Sequence, residues 1–281
     1  MIIILNYKTR KLAPLKNKIC LIGGKGDVVL ESAIYLNNNN QLFKIILIED
    51  NKIVTEKFSN ITFKYSLKNF NGILNKIKEL EINKILIIGY VDFPKFNQIK
   101  FDIKSKLFLT KNFFLNSESS QTKIFKSLLM TKNLKLISPI KYLSELIASP
   151  IDQIRFKDFD KYRKILMNNS VNLKKISSIN IGQSVILNGN RILVLENFKG
   201  TDEMISLFNN TTSYNDLIFI KFKKSNQINE IDFPVIGKDT IKSLIKIKIK
   251  AIILFKNQTL IVNKVECIKL IKKNKINLII I

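Results

Sequence analysis

The sequence predicts two α/β domains, the N-terminal one built on a mainly parallel sheet. Apolar runs of strand length alternate with longer amphipathic stretches along most of the chain. Strands separated by crossover helices give parallel sheets. The chain has 281 residues, 46% of them hydrophobic, enough for one large or two ordinary cores. Ser149-Pro150 breaks the chain near its middle. Residues 1–16 are expected to be a basic N-terminal extension, 17–138 the first domain and 139–281 the second, with a ligand cleft between the two domains.

The first strand is Ile19–Ile22, followed by Gly23-Gly24-Lys25-Gly26-Asp27 and a helical pattern on Val28, Val29, Leu30, Ala33 and Ile34. A glycine turn between a strand and a helix makes this half Rossmann-like. It also offers backbone N–H groups to a phosphate or carboxylate. The dinucleotide fingerprint is incomplete, because Val29 stands where the third glycine belongs, although Glu49 lies near the distance of a ribose-binding acid. Phe43–Ile48 reads as a strand, Phe70–Leu80 as a helix, and Ile85–Ile88 as a strand ending in Gly89-Tyr90. Ser117–Met130 reads as a helix, Leu134–Ile137 as a short strand, Pro139–Ile147 as a helix with proline in its first turn, and Phe156–Met167 as another helix.

In the second half, Ser184–Leu187 and Ile192–Leu195 flank Asn188-Gly189-Asn190, a β-hairpin signal. Thr201 or Asp202 is placed to cap a following helix. Leu217–Ile220 is a strand that delivers Lys221 and Lys224 at its end, and Pro234 stiffens the backbone just after Asp232. Residues 240–250 read as a short helix giving way to a strand. Ala251–Phe255 and Thr259–Val262 read as a hairpin, Val265–Ile271 as a helix and Leu278–Ile281 as the last strand.

Composition excludes several chemistries. The chain has no histidine, which removes His-based triads, His general bases and His-ligated zinc. Cys20 and Cys267 have no metal-knuckle spacing and read as buried thiols. No apolar run reaches the roughly 18 residues of a membrane helix, and Met1–Leu5 is too short for a signal sequence. A cytoplasmic protein is expected. The net charge of +25 is spread with lysine over the whole chain. Such a surface serves solubility, and near anionic lipid each lysine adds about 1 kcal/mol of attraction.

Three motifs, IGQSV (181–185), ENFKGTDEM (196–204) and the run from Lys221 through Lys224 and Gln227 to IDFPVIGKDTI (231–241), resemble LpxI-type UDP-2,3-diacylglucosamine pyrophosphatase. The resemblance extends from about Lys18 to the C-terminus. It implies hydrolysis at the α-phosphate of UDP-2,3-diacylglucosamine, a lipid A precursor, to give UMP and 2,3-diacylglucosamine 1-phosphate. It also implies Mg²⁺, a place at the inner face of the cytoplasmic membrane, no nucleic acid, and a homo-oligomer as one option. Asp232 matches the family's turnover aspartate and is the expected metal ligand. Thr201 lies in its substrate-contacting GTD motif, and Ser184, Gly26, Gly89 and Tyr90 are further substrate-binding candidates. Hydrolysis of a phosphoanhydride needs neutralised phosphates and a positioned water, which suits Lys221 and Lys224 to the diphosphate.

The chain departs from the family pattern at Phe93, Ser119, Ser225, Ile228 or Asn229, and at Glu230, where the family has arginine. Two other readings stay open at this level. One is a slow or inactive homologue that binds a sugar nucleotide or lipid. The other is a basic nucleic-acid binder, disfavoured by the few aromatics near the lysines.

Overall fold

A computed structural model describes residues 19–91, 98–100, 126, 129, 133–179, 181–208, 214–225, 230–231 and 233–281. The first sheet contains β1 (Ile19–Gly23), β2 (Leu42–Leu47), β3 (Thr62–Lys64), β4 (Lys84–Ile88) and β5 (Lys135–Leu136), in the order β3-β2-β1-β4-β5 and parallel throughout. Between these strands run α1 (Asp27–Asn38), α2 (Lys52–Lys57) and α3 (Phe70–Glu79). The strands are apolar on both faces because both faces are covered. Ile19, Leu21, Leu86 and Ile88 pack with Val28, Val29, Ala33 and Leu36 of α1. The alternate residues Cys20, Ile22, Ile85 and Ile87 pack with Phe70, Ile73, Leu74 and Ile77 of α3.

After α4 (Pro139–Tyr142) and α5 (Phe159–Ser178), a second sheet is made by β6 (Ser184–Asn188), β7 (Arg191–Leu195), β8 (Leu217–Lys221), β10 (Ala251–Leu254) and β12 (Asn277–Ile280). Its order is β12-β10-β8-β6-β7; β8, β10 and β12 are parallel, and β6 runs against both its neighbours. The sheet is again sandwiched. Val185, Leu187, Ile218, Ile220, Ile253 and Ile279 face α5. Ile186, Phe219, Ile252 and Leu278 face α6 (Thr201–Ser206), α7 (Lys238–Lys246) and α8 (Lys264–Lys273), through Met204, Ile205, Leu244, Cys267 and Ile271.

The two halves are sewn together by a pair of two-residue strands, β9 (Val235–Ile236) and β11 (Leu260–Ile261), in parallel register. A strand sends alternate side chains to opposite faces. Leu260 therefore joins the core of the first sheet while Ile261 joins that of the second. Phe233 and Val262 also enter the first core. Lys264 clamps the connecting chain, donating to the Ile147 carbonyl and to Asp152, both at 2.8 Å.

Both domains are thus α/β, and the first sheet is parallel, as expected. Several elements differ. Ala251–Leu254 and Leu260–Ile261 are not a hairpin: the chain turns through Asn257 at φ 58°, and the second strand leaves for β9. The helix read as Pro139–Ile147 stops at Tyr142. The helix read as Phe156–Met167 starts at Phe159 and continues to Ser178. Residues 238–246 are helical, and Lys248 at φ 60° ends that passage without the expected strand. Most of the helix read as Ser117–Met130 lies outside the described residues; Lys126 and Leu129 within it are helical.

Candidate functional site

The N-terminal candidates gather at the carboxyl ends of β1 and β4, where the strand order reverses, the usual ligand position in such sheets. Lys25 N–H donates to the Tyr90 carbonyl at 2.6 Å, and Tyr90 N–H donates back to Lys25 at 3.1 Å. This bridge closes the two loops on each other. It requires glycine at position 24, because a Cβ there would sit 2.1 Å from the Tyr90 oxygen. Gly26 and Gly89 adopt φ of 97° and 89°, which favour glycine. A Cβ on Gly26 would meet nothing within 4 Å, whereas one on Gly89 would strike the Lys25 carbonyl at 2.7 Å. Tyr90 is exposed beside them. Glu49, the possible ribose acid, lies 4.0 Å from the Lys25 ammonium.

The C-terminal candidates converge through strand register. In the antiparallel pair of β6 and β8, Ser184 faces Lys221. On the other side of β6, Glu196 N–H donates to the Ser184 carbonyl at 2.9 Å. One rung across three strands therefore carries Glu196, Ser184 and Lys221. The turn into α6 then brings Thr201 over it. Lys221 Nζ donates to Thr201 Oγ1 at 2.8 Å and to Ser184 Oγ at 3.1 Å. Thr201 Oγ1 donates to Glu196 Oε2 at 3.1 Å and lies 3.3 Å from Ser184 Oγ. The ammonium is 4.0 Å from Glu196 Oε2.

Lys221 is 2% exposed, Ser184 0% and Glu196 7%, so a charge pair and one hydroxyl are sealed beneath a partly exposed Thr201. Burial on this scale is tolerated because each charge has hydrogen-bond partners. Thr201 does not cap the helix: Gly200 at φ 93° holds that place, and the threonine hydroxyl is spent on the cluster instead. Asp202 accepts from Thr240 Oγ1 at 3.1 Å. Gly182 is needed beneath the cluster, since a Cβ there would lie 2.0 Å from the Glu196 carbonyl oxygen.

The structure thus joins Ser184, Thr201 and Lys221 and adds Glu196, which sequence reasoning passed over. Its signal was available: a carboxylate directly after an apolar strand, in a chain whose next apolar strand ends in lysine. Lys224 is partly exposed, on a loop held to α5 by Ser225 N–H donating to the Ser177 carbonyl at 3.0 Å. Asp232, Phe93, Ser119, Gln227, Ile228 and Asn229 lie outside the described residues. The chain neighbours of Asp232 are described: Ile231 packs against the α3-side core of the first sheet and Phe233 enters the α1-side core. Glu230 accepts from Lys126 at 2.9 Å.

Among the described residues no three carboxylate or thiol side chains converge as a metal cage. Mg²⁺ does not require one, since it is commonly held by one or two carboxylates together with substrate phosphates and water. No helix among the described residues is long and apolar enough to cross a membrane.

The family model described as the LpxI N-terminal domain matches residues 18–146, and that described as the LpxI C-terminal domain matches residues 156–279. A comparison with curated proteins finds no significant match.

Proposed function

The chain belongs to the LpxI family in both of its domains, and from that premise we propose that it hydrolyses UDP-2,3-diacylglucosamine at the α-phosphate. The observation that carries this reading is the buried Lys221 ammonium held by Ser184 and Thr201, at the end of the sheet where the family-like motifs meet. Water attacks the α-phosphorus, the bond from that phosphorus to the bridging oxygen breaks, and the products are UMP and 2,3-diacylglucosamine 1-phosphate. Thr201 presents its backbone and the rim of the cluster to the diphosphate. Lys221 behind it, with Lys224 from the loop that follows, supplies the cations for the phosphate charge that builds in the transition state. The Gly26 turn and the Gly89-Tyr90 loop supply backbone N–H groups and an exposed ring to the nucleotide end.

Asp232 is the residue that would hold Mg²⁺, and the bound ion would supply charge neutralisation on the phosphates. The acyl chains call for an apolar groove, which we place between the two domains. The lysine-rich surface suits the protein to the cytoplasmic face of an anionic membrane, where the substrate resides.

The test is release of UMP from UDP-2,3-diacylglucosamine by purified protein with Mg²⁺. Turnover lost in Asp232→Ala supports the reading; no UMP from wild type at any Mg²⁺ concentration overturns it.

A further inference from the structure

Glu196 belongs to the cluster but has no role in the scheme above. The residue is 7% exposed, its backbone N–H donates to the Ser184 carbonyl and its carbonyl is closely approached by Gly182 of the same neighbouring strand segment, and its Oε2 accepts from Thr201 Oγ1 at 3.1 Å. A threonine hydroxyl has one proton and two lone pairs. Giving the proton to Glu196 turns the oxygen's lone pairs toward Lys221, whose Nζ donates to it at 2.8 Å. The carboxylate also stands 4.0 Å from that ammonium. Glu196 therefore orients the hydroxyl and helps to hold the cation.

We infer that Glu196 is a positioning residue, which holds Thr201 and Lys221 in the geometry that meets the diphosphate. This rests on the pyrophosphatase reading. It adds that the acid acts through its two partners and not on the substrate. A salt bridge kept for stability alone is the competing account, and replacing buried ion pairs is often neutral for folding.

The experiment compares Glu196→Gln and Glu196→Ala in the full chain. UMP release is resolved into kcat and KM, thermal midpoints are recorded, and the Lys221 side-chain ammonium is followed by ¹⁵N NMR, assigned through Lys221→Arg. Glutamine keeps an acceptor oxygen for Thr201 and drops the charge; alanine drops both. The expected result is a loss in kcat of about tenfold for glutamine and about a hundredfold for alanine, on the scale that misplaced supporting groups cost. KM stays within about twofold, because the substrate contacts themselves remain. The Lys221 resonance moves in the glutamine variant and broadens in the alanine variant. The near-isosteric glutamine keeps the test decisive should the alanine variant fail to fold.

Unchanged kcat in the glutamine variant with an unmoved Lys221 resonance overturns the inference, as does a loss of activity that only follows the folded fraction. Wild type that releases no UMP removes the pyrophosphatase reading and the catalytic half of this one. The NMR comparison then still decides whether Glu196 holds the ammonium.

Discussion

Lys221 Nζ lies 2.8 Å from Thr201 Oγ1, a contact between the end of one strand and the first turn of a helix twenty residues earlier in the chain. Lys221 is held there by a rung of strand pairing and Thr201 by the turn into α6, not by local sequence. Replacing Lys221 by methionine keeps the length and removes the charge. Glu196 then loses a buried cation partner, at a cost of roughly 3–5 kcal/mol. The expected outcome is a lower thermal midpoint and UMP release reduced by about a hundredfold or more. Activity near wild type in a folded Lys221→Met variant would remove the lysine from the site.

The glycine loops of the first sheet separate two kinds of constraint. Gly24→Ala places a methyl 2.1 Å from the Tyr90 carbonyl oxygen. Such crowding is expected to cost about 2–3 kcal/mol and to open the Lys25–Tyr90 bridge. Gly26→Ala meets no neighbour and bears only the strain of φ 97° with ψ 159°, a backbone region almost confined to glycine that costs roughly 1–3 kcal/mol. Urea unfolding should register both losses, and hydrogen exchange at the Lys25 and Tyr90 amides should accelerate only for Gly24→Ala.

Glu230 and Lys126 form a pair that is 28% exposed on each side. Partial exposure limits its contribution to about 1 kcal/mol. Glu230→Lys sets two cations together and should lower stability by that order. The exchange Lys126→Glu with Glu230→Lys should recover most of it, measured as a coupling energy in a double-mutant cycle. A coupling near zero would show that the pair is incidental.

Burial pushes the Cys20 thiol up to about 12 and the Cys267 thiol up to about 11, from an ordinary 9.0. A raised folded value means that the unfolded chain loses these protons first as pH rises. Stability from these groups is therefore intact below pH 9 and falls above it, by about 1.4 kcal/mol per pH unit for each thiol until its folded value is reached. Denaturation midpoints should decline from pH 9 to 11, and less steeply in Cys267→Ala measured against its own neutral-pH value. Iodoacetamide at pH 8 should leave both thiols unmodified in the native protein.

If the proposed scheme holds, chelation by EDTA should abolish UMP release without unfolding the chain, since Mg²⁺ would be held by Asp232 together with substrate phosphate and water. Added Mg²⁺ should restore the rate. Full activity after exhaustive chelation would remove the ion from the scheme.

The first sheet was the more legible half. Its strands are buried on both faces, so ICLI at 19–22 and ILII at 85–88 stand out as uninterrupted apolar runs between amphipathic helices. Runs of two residues, such as Val235-Ile236, carry no period and were missed. Leu260-Ile261 looked like half of a hairpin, because nothing local distinguishes a return to the same sheet from departure to another. The lysine-rich helix 238–246 was misjudged at its end for a similar reason: Ile245, Ile247 and Ile249 alternate like a strand, although Lys248 turns the chain there.

The sequence by itself determined which residue types were present at the site, the absence of histidine chemistry, the glycine turn after the first strand and the family-like motifs that hold Ser184, Thr201 and Lys221. Tertiary structure alone decided that these three share one buried network and that Glu196 belongs to it. The physical reason is register: residues 184, 196 and 221 become neighbours only when β6 pairs with β7 and β8 at one particular offset, and a slip of one residue would turn the side chains of the shifted strand to the opposite face.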